Sequence, residues 1–467
     1  MNNKPAINAR DILYPKSIAV VGASKHAGSI GNTILKNVLE HGFKGKVYPV
    51  NPNEQELLGL KCYPSLLDIP EPVDLACIVI PSKAVLEVVK QAAAKHVKGL
   101  IIYSSGFAEK GPDGERYQAE VVNIAKSAGV RIIGPNTNGL FNGEIDLHLT
   151  FNPLKTMKGP VGVITQSGGM MSGFAYEAIR NGIPVNKFVN LENKSDVNEV
   201  ELLELMEDDE LIKVVFMYLE SIVDTDSFVK VSKRVSKKKP ILGYLAGLYD
   251  GGKRIISMHT GSKHADLGAV EKAFEEGGVI RVRGITEAID AIKALAFLPV
   301  PEGNRMGFVT NTGGISAVMA DICEANGLKI PPFSEELAKR VRDKLPPGLG
   351  YPYNPVDTTA NVNYDVIKGA LTELIESDEV DIVVAAGIRS VFIPYDHFER
   401  SWGECFQLSK EKGKPLIGVI MGDDGIFDKI IKPLTDIGMP VYTSPERAAL
   451  SLVYLHKYSE MKRRHSL

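Results

Sequence analysis

The alternation of strand-like and helix-like segments in the first 150 residues constrains the fold more than any other feature of this chain. Runs of mostly aliphatic and β-branched residues, such as SIAVVGAS, LACIVIP and GLIIYSSG, are separated by amphipathic stretches such as GNTILKNVLEHG. Such runs suit strands that are buried on both faces, and the stretches between them suit crossover helices. We therefore predict an α/β fold that begins with a doubly wound, Rossmann-like parallel sheet.

The rest of the chain is divided by two stretches rich in proline and glycine, NPLKTMKGP and LPVPEGNR. A similar strand–turn–helix opening follows each of them: GVITQSGG at residues 162–169 and GFVTNTGG at residues 307–314. Two related openings about one domain length apart indicate two successive domains of similar build. Because 467 residues are too many for one hydrophobic core, we predict three α/β domains, over residues 1–150, 151–301 and 302–467.

Composition and charge exclude several functional classes. The chain has 54 Lys and Arg against 57 Asp and Glu, a balance that gives no reason to expect nucleic acid or an anionic membrane as a partner. It begins without an apolar signal segment and has no run of about 18 apolar residues that could span a membrane. The four cysteines form no C-x-x-C pair, so we expect neither a disulfide framework nor a metal site, and a cytoplasmic location fits best.

The first glycine-rich segment, GASKHAGSIG, follows a strand and opens a helix, as phosphate-binding turns do. Its glycines, Gly22, Gly28 and Gly31, do not have the G-x-G-x-x-G spacing, and the second strand ends in VNPN without an acid to hold a ribose 2′-hydroxyl. A nicotinamide cofactor is therefore disfavoured. We predict a different phosphate-bearing ligand, and the alternative is that these glycines only permit a tight turn.

Two further glycine-rich segments bear on anion binding. Gln166 to Gly169 join a strand to a helix and would leave their N–H groups free for an anion, unless Ser167 simply caps the helix. The segment GLYDGGKR nearly matches a P-loop, but Arg254 stands where a hydroxyl should hold magnesium. If a nucleotide is used, its main site is expected on another chain.

Taken together, VVGAS, GSIG, KVYPVNPN, GPN, ITQSGG, YLES, HTGS and NPVD resemble the α-type part of NDP-forming acyl-CoA synthetases, relatives of succinyl-CoA synthetase, in order and over nearly the whole chain. The resemblance implies an acid–CoA ligase that interconverts acid, CoA and NTP with acyl-CoA, NDP and phosphate through an acyl phosphate and a phosphohistidine. It also implies a CoA-binding first domain followed by two flavodoxin-like domains. A β subunit with an ATP-grasp fold would carry ATP or ADP and Mg²⁺, in an α2β2 heterotetramer.

Two other functions remain open beside this one. A regulator of the same fold could bind CoA or acyl-CoA without catalysis, and an NAD-dependent redox protein is a weaker possibility. The resemblance identifies His259 and Glu220 as a paired histidine and glutamate, and the presence of both favours the enzyme over the regulator. The missing ribose-binding acid disfavours the redox protein.

The resemblance also assigns roles to residues. His259 falls on the phosphorylated histidine and Glu220 on the glutamate that orients it, and a carboxylate bonded to one ring nitrogen would leave the other free to attack. We expect a loop of small residues around His259, which would let it swing between sites. The phosphoryl group would be held by Gln166, Ser167, Gly168, Gly169, Thr260 and Gly261. CoA would contact Gly22, Ala23, Ser24, Gly28, Ile30, Gly31, Lys46, Asn51, Pro81, Ser104, Ser105 and Gly106.

The substrate acid would meet the thiol end of CoA at Asn136, Thr137 and Asn138. Where the family often has GPNCLG, this chain has GPNTNG, so two hydrogen-bonding side chains replace Cys and Leu. This departure predicts a small acid with a hydroxy, carboxy or sulfo substituent, and acetate as a poor substrate. The alternative is that Thr137 and Asn138 only bond the backbone or the pantetheine of CoA.

Overall fold

The structure is a computed structural model that describes residues 8–152, 158–260, 267–359, 363–389 and 393–466, with the backbone alone at residues 257–260, 267, 465 and 466. The chain divides into two compact units. The first consists of Met1–Ile179 and Ile183–Arg281, and the second of Arg180–Gly182 and Val282–Leu467.

The elements up to residue 281 are strands and helices, with short 3₁₀ turns at Ala108–Lys110 and Gly143–Ile145. In chain order they are α1 (Ala9–Leu13), β1 (Ser17–Val21), α2 (Ile30–Glu40), β2 (Lys46–Val50), β3 (Glu56–Leu57), β4 (Leu60–Lys61), β5 (Leu75–Ile78), α3 (Ser82–Ala94), β6 (Gly99–Ile102), α4 (Pro112–Ser127), β7 (Arg131–Ile133), β8 (Gly139–Asn142), β9 (Leu147–Thr150), β10 (Val161–Thr165), α5 (Gly168–Arg180), β11 (Val185–Asn190), α6 (Glu199–Glu207), β12 (Val214–Leu219), α7 (Thr225–Val235), β13 (Ile241–Leu245), α8 (Asp250–Thr260), α9 (Leu267–Gly277) and β14 (Val279–Arg281).

The remaining elements include a π-helical turn at Phe427–Ile431. In chain order they are α10 (Ile285–Phe297), β15 (Met306–Thr310), α11 (Gly313–Glu324), α12 (Glu335–Arg342), β16 (Tyr351–Pro352), β17 (Val356–Asp357), α13 (Tyr364–Glu376), β18 (Ile382–Ile388), α14 (Tyr395–Glu411), β19 (Leu416–Met421), α15 (Lys432–Asp436), β20 (Val441–Tyr442) and α16 (Pro445–Ser466).

The first sheet has the parallel order β2-β1-β5-β6-β7. Successive residues of β1 enter different cores: Ile18 and Val20 pack in one cluster, and Ala19 and Val21 in another. Side chains of a strand alternate between the two faces of a sheet, so both faces of this one are buried, which explains the continuous apolar runs. The prediction of an α/β fold with a parallel N-terminal sheet is confirmed.

The second sheet belongs to the same unit and has the order β14-β13-β12-β10-β11-β8-β9. Its strands are parallel except at one edge, where β8 runs antiparallel to β11 and β9 antiparallel to β8. The sequence analysis placed β8 and β9 with the first 150 residues, but they hydrogen-bond to the second sheet. The turn at residues 134–138 therefore carries the chain from one sheet to the other.

The third sheet lies in the second unit, with the order β16-β17-β15-β18-β19-β20. Its first turn has the same local structure as that of the second sheet. The hydroxyl of Thr165 accepts a hydrogen bond from Ser167 N at 3.1 Å, and that of Thr310 accepts one from Thr312 N at 3.0 Å. The two openings that the sequence analysis compared thus form corresponding turns.

The segment that precedes His259 differs from the expected loop. The backbone from Asp250 to Thr260 is helical, so the prediction of a loop is wrong for these residues, and His259 lies in the last turn of α8. Asp250 in the first turn suits the positive end of a helix, and only Gly251 and Gly252 within it disfavour helix formation. The side chains of His259 and Thr260, and all of Gly261, lie outside the described residues. Among the helices that are described, none is long and apolar enough to cross a membrane.

Candidate functional site

A pocket of about 310 Å³ opens at the carboxyl edge of the first sheet. It lies where β1 stands between β2 and β5, the point at which the strand order reverses. In open parallel sheets this position is where ligands bind. Its lining comes from the ends of these strands and the turns that follow: Val21, Gly22, Val50, Asn51, Pro52, Pro64, Ser65, Ile80, Val88 and Gln91.

Glycine is required at two positions beside this pocket. A Cβ atom on Gly22 would lie 2.2 Å from the carbonyl oxygen of Val79, and one on Gly31 would lie 2.1 Å from that of Gly22. Gly28 has a φ of +83° and open space around its Cα. The close contact of Gly22 with Gly31 brings the first turn of α2 against the end of β1, so the helix N-terminus reaches the pocket.

Two asparagines hold the turn between β1 and α2. Asn51 donates from Nδ2 to the carbonyl of Ala23 at 2.7 Å, and Asn32 donates to that of Ser24 at 2.8 Å. Asn51 also accepts a hydrogen bond from Asn53 N at 2.9 Å. The carboxamide of Asn51 is thus already engaged by the protein, although the residue lines the pocket.

The structure does not bring Lys46 to this pocket. Lys46 is the first residue of β2 and pairs with Ser17, the first residue of β1, so it lies at the opposite, amino edge of the sheet. Its ammonium group contacts Glu71 there. Strand direction is the physical reason, since Val50 rather than Lys46 ends at the pocket.

The other residues assigned to CoA follow the neighbouring strands. Pro81 precedes the first residue of α3, and the Ser104 hydroxyl donates to the carbonyl of Ile80. Ser105 is exposed, and Gly106 donates its N–H to the carboxylate of Glu109. Pro81 thus lies after the carboxyl end of β5, and Ser104 to Gly106 lie after that of β6.

Asn190, at the end of β11, connects the turn that leads into β8 with the turn that follows β10. Its Oδ1 accepts a hydrogen bond from Asn138 N at 2.7 Å, and its Nδ2 donates to the carbonyl of Thr165 at 3.3 Å. Asn190 is completely buried. The first of these turns also reaches the carboxyl edge of the first sheet, because Asn136 N donates to the carbonyl of Ser104 at 3.0 Å.

The Thr137 hydroxyl is engaged within the protein, contrary to the expectation that it faces the substrate. It lies 2.5 Å from the carbonyl oxygen and 2.9 Å from Oδ1 of Asn190, and it accepts a hydrogen bond from Gly139 N at 3.0 Å. With 1% exposure, it has no access to a ligand. The role of Thr137 is to fix the turn.

Asn138 is placed differently from Thr137. It is partly exposed, and its carboxamide lies over Gly168, where an added Cβ would come within 2.5 Å of it. Within the described parts of the chain this carboxamide has no hydrogen-bond partner. It therefore offers a donor and an acceptor beside the N-terminus of α5.

The expectation of four free N–H groups at this helix terminus is wrong. Gln166 N donates to the carbonyl of Tyr218 at 2.9 Å, Ser167 N to the Thr165 hydroxyl, and Gly168 N to Glu192 Oε2 at 2.9 Å. Ser167 caps the helix by accepting from Met170 N at 3.4 Å. Of the four, only the N–H of Gly169 lacks a partner among the residues described.

Glu220 directly follows β12 and is 6% exposed. The Gln166 side chain holds its backbone, with Oε1 accepting from Glu220 N at 2.8 Å and from Ser221 N at 3.0 Å. On the other side, Lys194 donates to the carbonyl of Ser221 at 2.8 Å and forms a buried ion pair with Glu199 at 2.8 Å. These contacts fix the backbone at Glu220, and the charge of its buried carboxylate acts on Glu192.

Burial raises the pKa of Glu192 to about 7, and the negative charge of Glu220 adds to this effect, against the hydrogen bond from Asn190. Burial lowers the pKa of Lys194, although Glu199 opposes the shift. Shifted pKa values in a buried polar cluster are typical of functional sites. Within the described ranges, no group of three or more His, Cys, Asp or Glu residues could hold a metal ion.

Comparison with known proteins places these features in a family. A family model described as "CoA binding domain" matches residues 16–142, and one described as "Succinyl-CoA ligase like flavodoxin domain" matches residues 158–295. The α subunit of acetate–CoA ligase [ADP-forming] I from Pyrococcus furiosus is 37% identical over 460 residues, which cover 97% of this chain and 98% of that subunit. The chain belongs to the α-subunit family of ADP-forming acyl-CoA ligases.

Other members of this family extend the comparison. The structure of dinucleotide-forming acetyl-coenzyme A synthetase 1 from Ca. Korarchaeum cryptofilum, in complex with phosphate and ADP, matches with a TM-score of 0.91 at 32% identity and covers 97% of this chain and 98% of that one. Acetate–CoA ligase [ADP-forming] I of Archaeoglobus fulgidus is 34% identical over 96% of this chain, but the match covers only 64% of that protein. The prediction of an acid–CoA ligase family with an α/β fold is confirmed.

Sequence reasoning missed three residues of this candidate site: Asn190, Glu192 and Lys194. They stand in NLENKSD, a polar segment that begins with the last residue of the buried strand VNKFVN. Because β11 is parallel to β10, its carboxyl end lies beside TQSGG. The sequence signal for these residues was a polar segment at the carboxyl end of a strand, where it could lie beside the glycine-rich turn of a neighbouring parallel strand.

Proposed function

We propose that this chain is the α subunit of an ADP-forming acyl-CoA ligase that acts on a small polar acid through an acyl phosphate and phosphorylated His259. One observation carries the proposal: hydrogen bonds between successive turns link the turn at Ser104 to Glu220. Asn136 N donates to the carbonyl of Ser104, and two residues further on Asn138 N donates to Asn190. Asn190 donates to the carbonyl of Thr165, and Gln166, the next residue, accepts a hydrogen bond from Glu220 N. A ligand at the carboxyl edge of the first sheet and a phosphoryl group at the N-terminus of α5 would thus be linked through these hydrogen-bonded turns.

CoA would bind at the carboxyl edge of the first sheet. The match of residues 16–142 to a CoA-binding domain supports this placement, as do the open space at Gly28 and the N-terminus of α2, which suit a phosphate group. We retain the assigned contacts except Lys46, which lies at the other edge. They are Gly22, Ala23, Ser24, Gly28, Ile30, Gly31, Asn51, Pro81, Ser104, Ser105 and Gly106.

In the second sheet, neutral His259 would act as the nucleophile that accepts the phosphoryl group. Glu220 would accept a hydrogen bond from one ring nitrogen and so fix the tautomer that attacks. The phosphoryl group would pass to the acid and form an acyl phosphate, from which the CoA thiolate displaces phosphate. Gly169, with its available N–H at the positive end of α5, would stabilise the transferred group.

ATP and Mg²⁺ would bind mainly on a β subunit with an ATP-grasp fold, in an α2β2 heterotetramer. Two observations support a partner: the P. furiosus relative is named as a subunit, and the A. fulgidus relative continues beyond the match. The GLYDGGKR segment does not replace it, because Arg254 still takes the place of the magnesium-binding hydroxyl.

The polarity of the acid would be recognised by Asn138. Its available carboxamide beside Gly168 supports this proposal, whereas Thr137 no longer contributes to it. An amide of the site left without a partner disfavours an apolar substrate, and a substituent that bonds the partly exposed carboxamide of Asn138 is favoured. We therefore expect a hydroxy, carboxy or sulfo acid to be preferred over acetate.

The test measures ADP release and thioester formation with the purified α and β chains, CoA, ATP and a panel of acetate, propionate, glycolate, succinate and sulfoacetate. We expect turnover that requires both CoA and acid, with kcat/KM highest for a polar acid. Asn138→Leu should shift the preference toward acetate or propionate by roughly tenfold or more, as expected for one lost hydrogen bond.

The matched control is Asn123→Leu, the same substitution on the exposed face of α4, which should leave the ranking unchanged. Acetate or propionate at the top of the wild-type ranking would contradict the substrate proposal alone. CoA binding without thioester formation for any acid would instead indicate a non-catalytic CoA-binding protein.

A further inference from the structure

A buried carboxylate already lies at the N-terminus of α5. Glu192 Oε2 accepts hydrogen bonds from Gly168 N at 2.9 Å and from Asn190 Nδ2 at 3.0 Å, and the residue is 4% exposed. Backbone N–H groups at a helix N-terminus favour a negative group. Glu192 therefore occupies part of the position in which an external oxyanion would bind.

The backbone holds Glu192 there at some cost. Its φ is +45°, in the left-handed region that residues with a Cβ rarely adopt. The turn is fixed on both sides, since Asn193 N donates to the carbonyl of Pro135 and Lys194 N to that of Leu191. Strain of this kind persists where the surroundings determine the conformation, and it often marks functional positions.

The groups that face Glu192 are mostly negative or neutral. Glu220 at the end of β12 and Glu109 in the 3₁₀ turn both act on it as like charges. Tyr218, on β12, has its own pKa raised by burial and by the negative charges of Glu220 and Glu192. The nearby cation, Lys194, is paired with Glu199. An additional anion in this place would therefore meet repulsion unless Glu192 were neutral.

We propose that Glu192 is a proton-linked positioning residue for the phosphoryl group: ionised, it holds the Gly168 N–H and repels an oxyanion, and protonated, it admits one. The inference rests on the proposed function, because it concerns the same helix terminus. An oxyanion at the available N–H of Gly169 would lie beside Glu192, and two such groups cannot both be ionised in a buried site. Anion binding should thus take up one proton at Glu192.

The direction of the pH dependence follows from the pKa of Glu192, which burial raises to about 7. Below this pH the side chain of Glu192 is neutral and does not repel the anion. Above it, the neutral fraction falls about tenfold per pH unit, and the affinity for the anion should fall with it. Sulfate is a suitable probe because, unlike phosphate, it does not titrate near neutral pH.

The experiment measures the dissociation constant of sulfate by calorimetry on the full chain from about pH 6 to about pH 8.5. For the wild type we expect weakening that approaches tenfold per pH unit above about pH 7. Glu192→Gln, which keeps an acceptor for Gly168 N, should bind sulfate with little dependence on pH. Glu192→Gly, which suits the left-handed backbone, should show the same loss of slope with a folded protein.

One control separates this effect from other titrations. Glu204→Gln, which removes the same charge from the exposed face of α6, should keep the wild-type slope. No sulfate binding at about pH 6, a flat wild-type profile, or an unchanged slope in Glu192→Gln would each overturn the inference. Because sulfate binding needs neither acid nor nucleotide, ligase activity without this slope overturns the inference and leaves the proposed function standing.

Discussion

His259→Asn is expected to abolish turnover while leaving the affinity for CoA nearly unchanged. Asparagine keeps a polar group of similar reach but has no ring nitrogen that can accept a phosphoryl group. Loss of an essential nucleophile lowers kcat by roughly 10⁴-fold or more. The proposed CoA contacts follow strands of the first sheet. His259 lies in α8, which follows β13 of the second sheet.

The measurements are ADP release in the presence of the β subunit and calorimetric titration with CoA. His26→Asn, in the exposed turn before α2, is the matched control for phosphoryl transfer and should retain turnover. Residual activity of His259→Asn within tenfold of the wild type would contradict the nucleophilic role.

Glu220→Gln is expected to slow phosphoryl transfer by roughly 10²-fold or more, as when a group that orients a catalytic histidine loses its charge. The amide matches the shape of the carboxylate, so the hydrogen bonds from Glu220 N and Ser221 N to Gln166 should remain. The lost negative charge would no longer fix the tautomer of the imidazole or stabilise its cationic form.

Single-turnover phosphorylation measures this step apart from CoA binding and product release. Glu204→Gln, with the same change on the exposed face of α6, should react at the wild-type rate. A rate for Glu220→Gln within about twofold of the wild type would remove Glu220 from the mechanism, whatever the outcome for His259.

The sequence predicts the sheets well because their strands are buried on both faces. In β1, residues on either face enter an apolar core, so the run is continuous and its strand character is readable without knowing its neighbours. The same holds for the two repeated turns, whose Thr hydroxyls make local hydrogen bonds at Thr165 and Thr310. Local chemistry of this kind is encoded in a few consecutive residues.

The candidate site is less predictable because its contacts join distant segments. Thr137 looks like a substrate contact in sequence, but it meets Asn190, 53 residues later, only because β8 pairs with β11. Gly168 N similarly meets Glu192, 24 residues later, because β10 and β11 are neighbours. The prediction that Lys46 contacts CoA is wrong for a simpler reason. Lys46 begins β2, so it lies at the amino edge of the sheet, opposite the pocket.

Incubation of the chain with its β subunit, Mg²⁺ and γ-labelled ATP measures the central step, phosphorylation of His259, directly. We expect one acid-labile, base-stable label per chain, located by peptide mapping at His259 and removed on addition of ADP. The label should be absent from His259→Ala. Label that persists unchanged in His259→Ala, or CoA-dependent ligase turnover by a wild-type chain that never becomes labelled, would contradict the proposed mechanism.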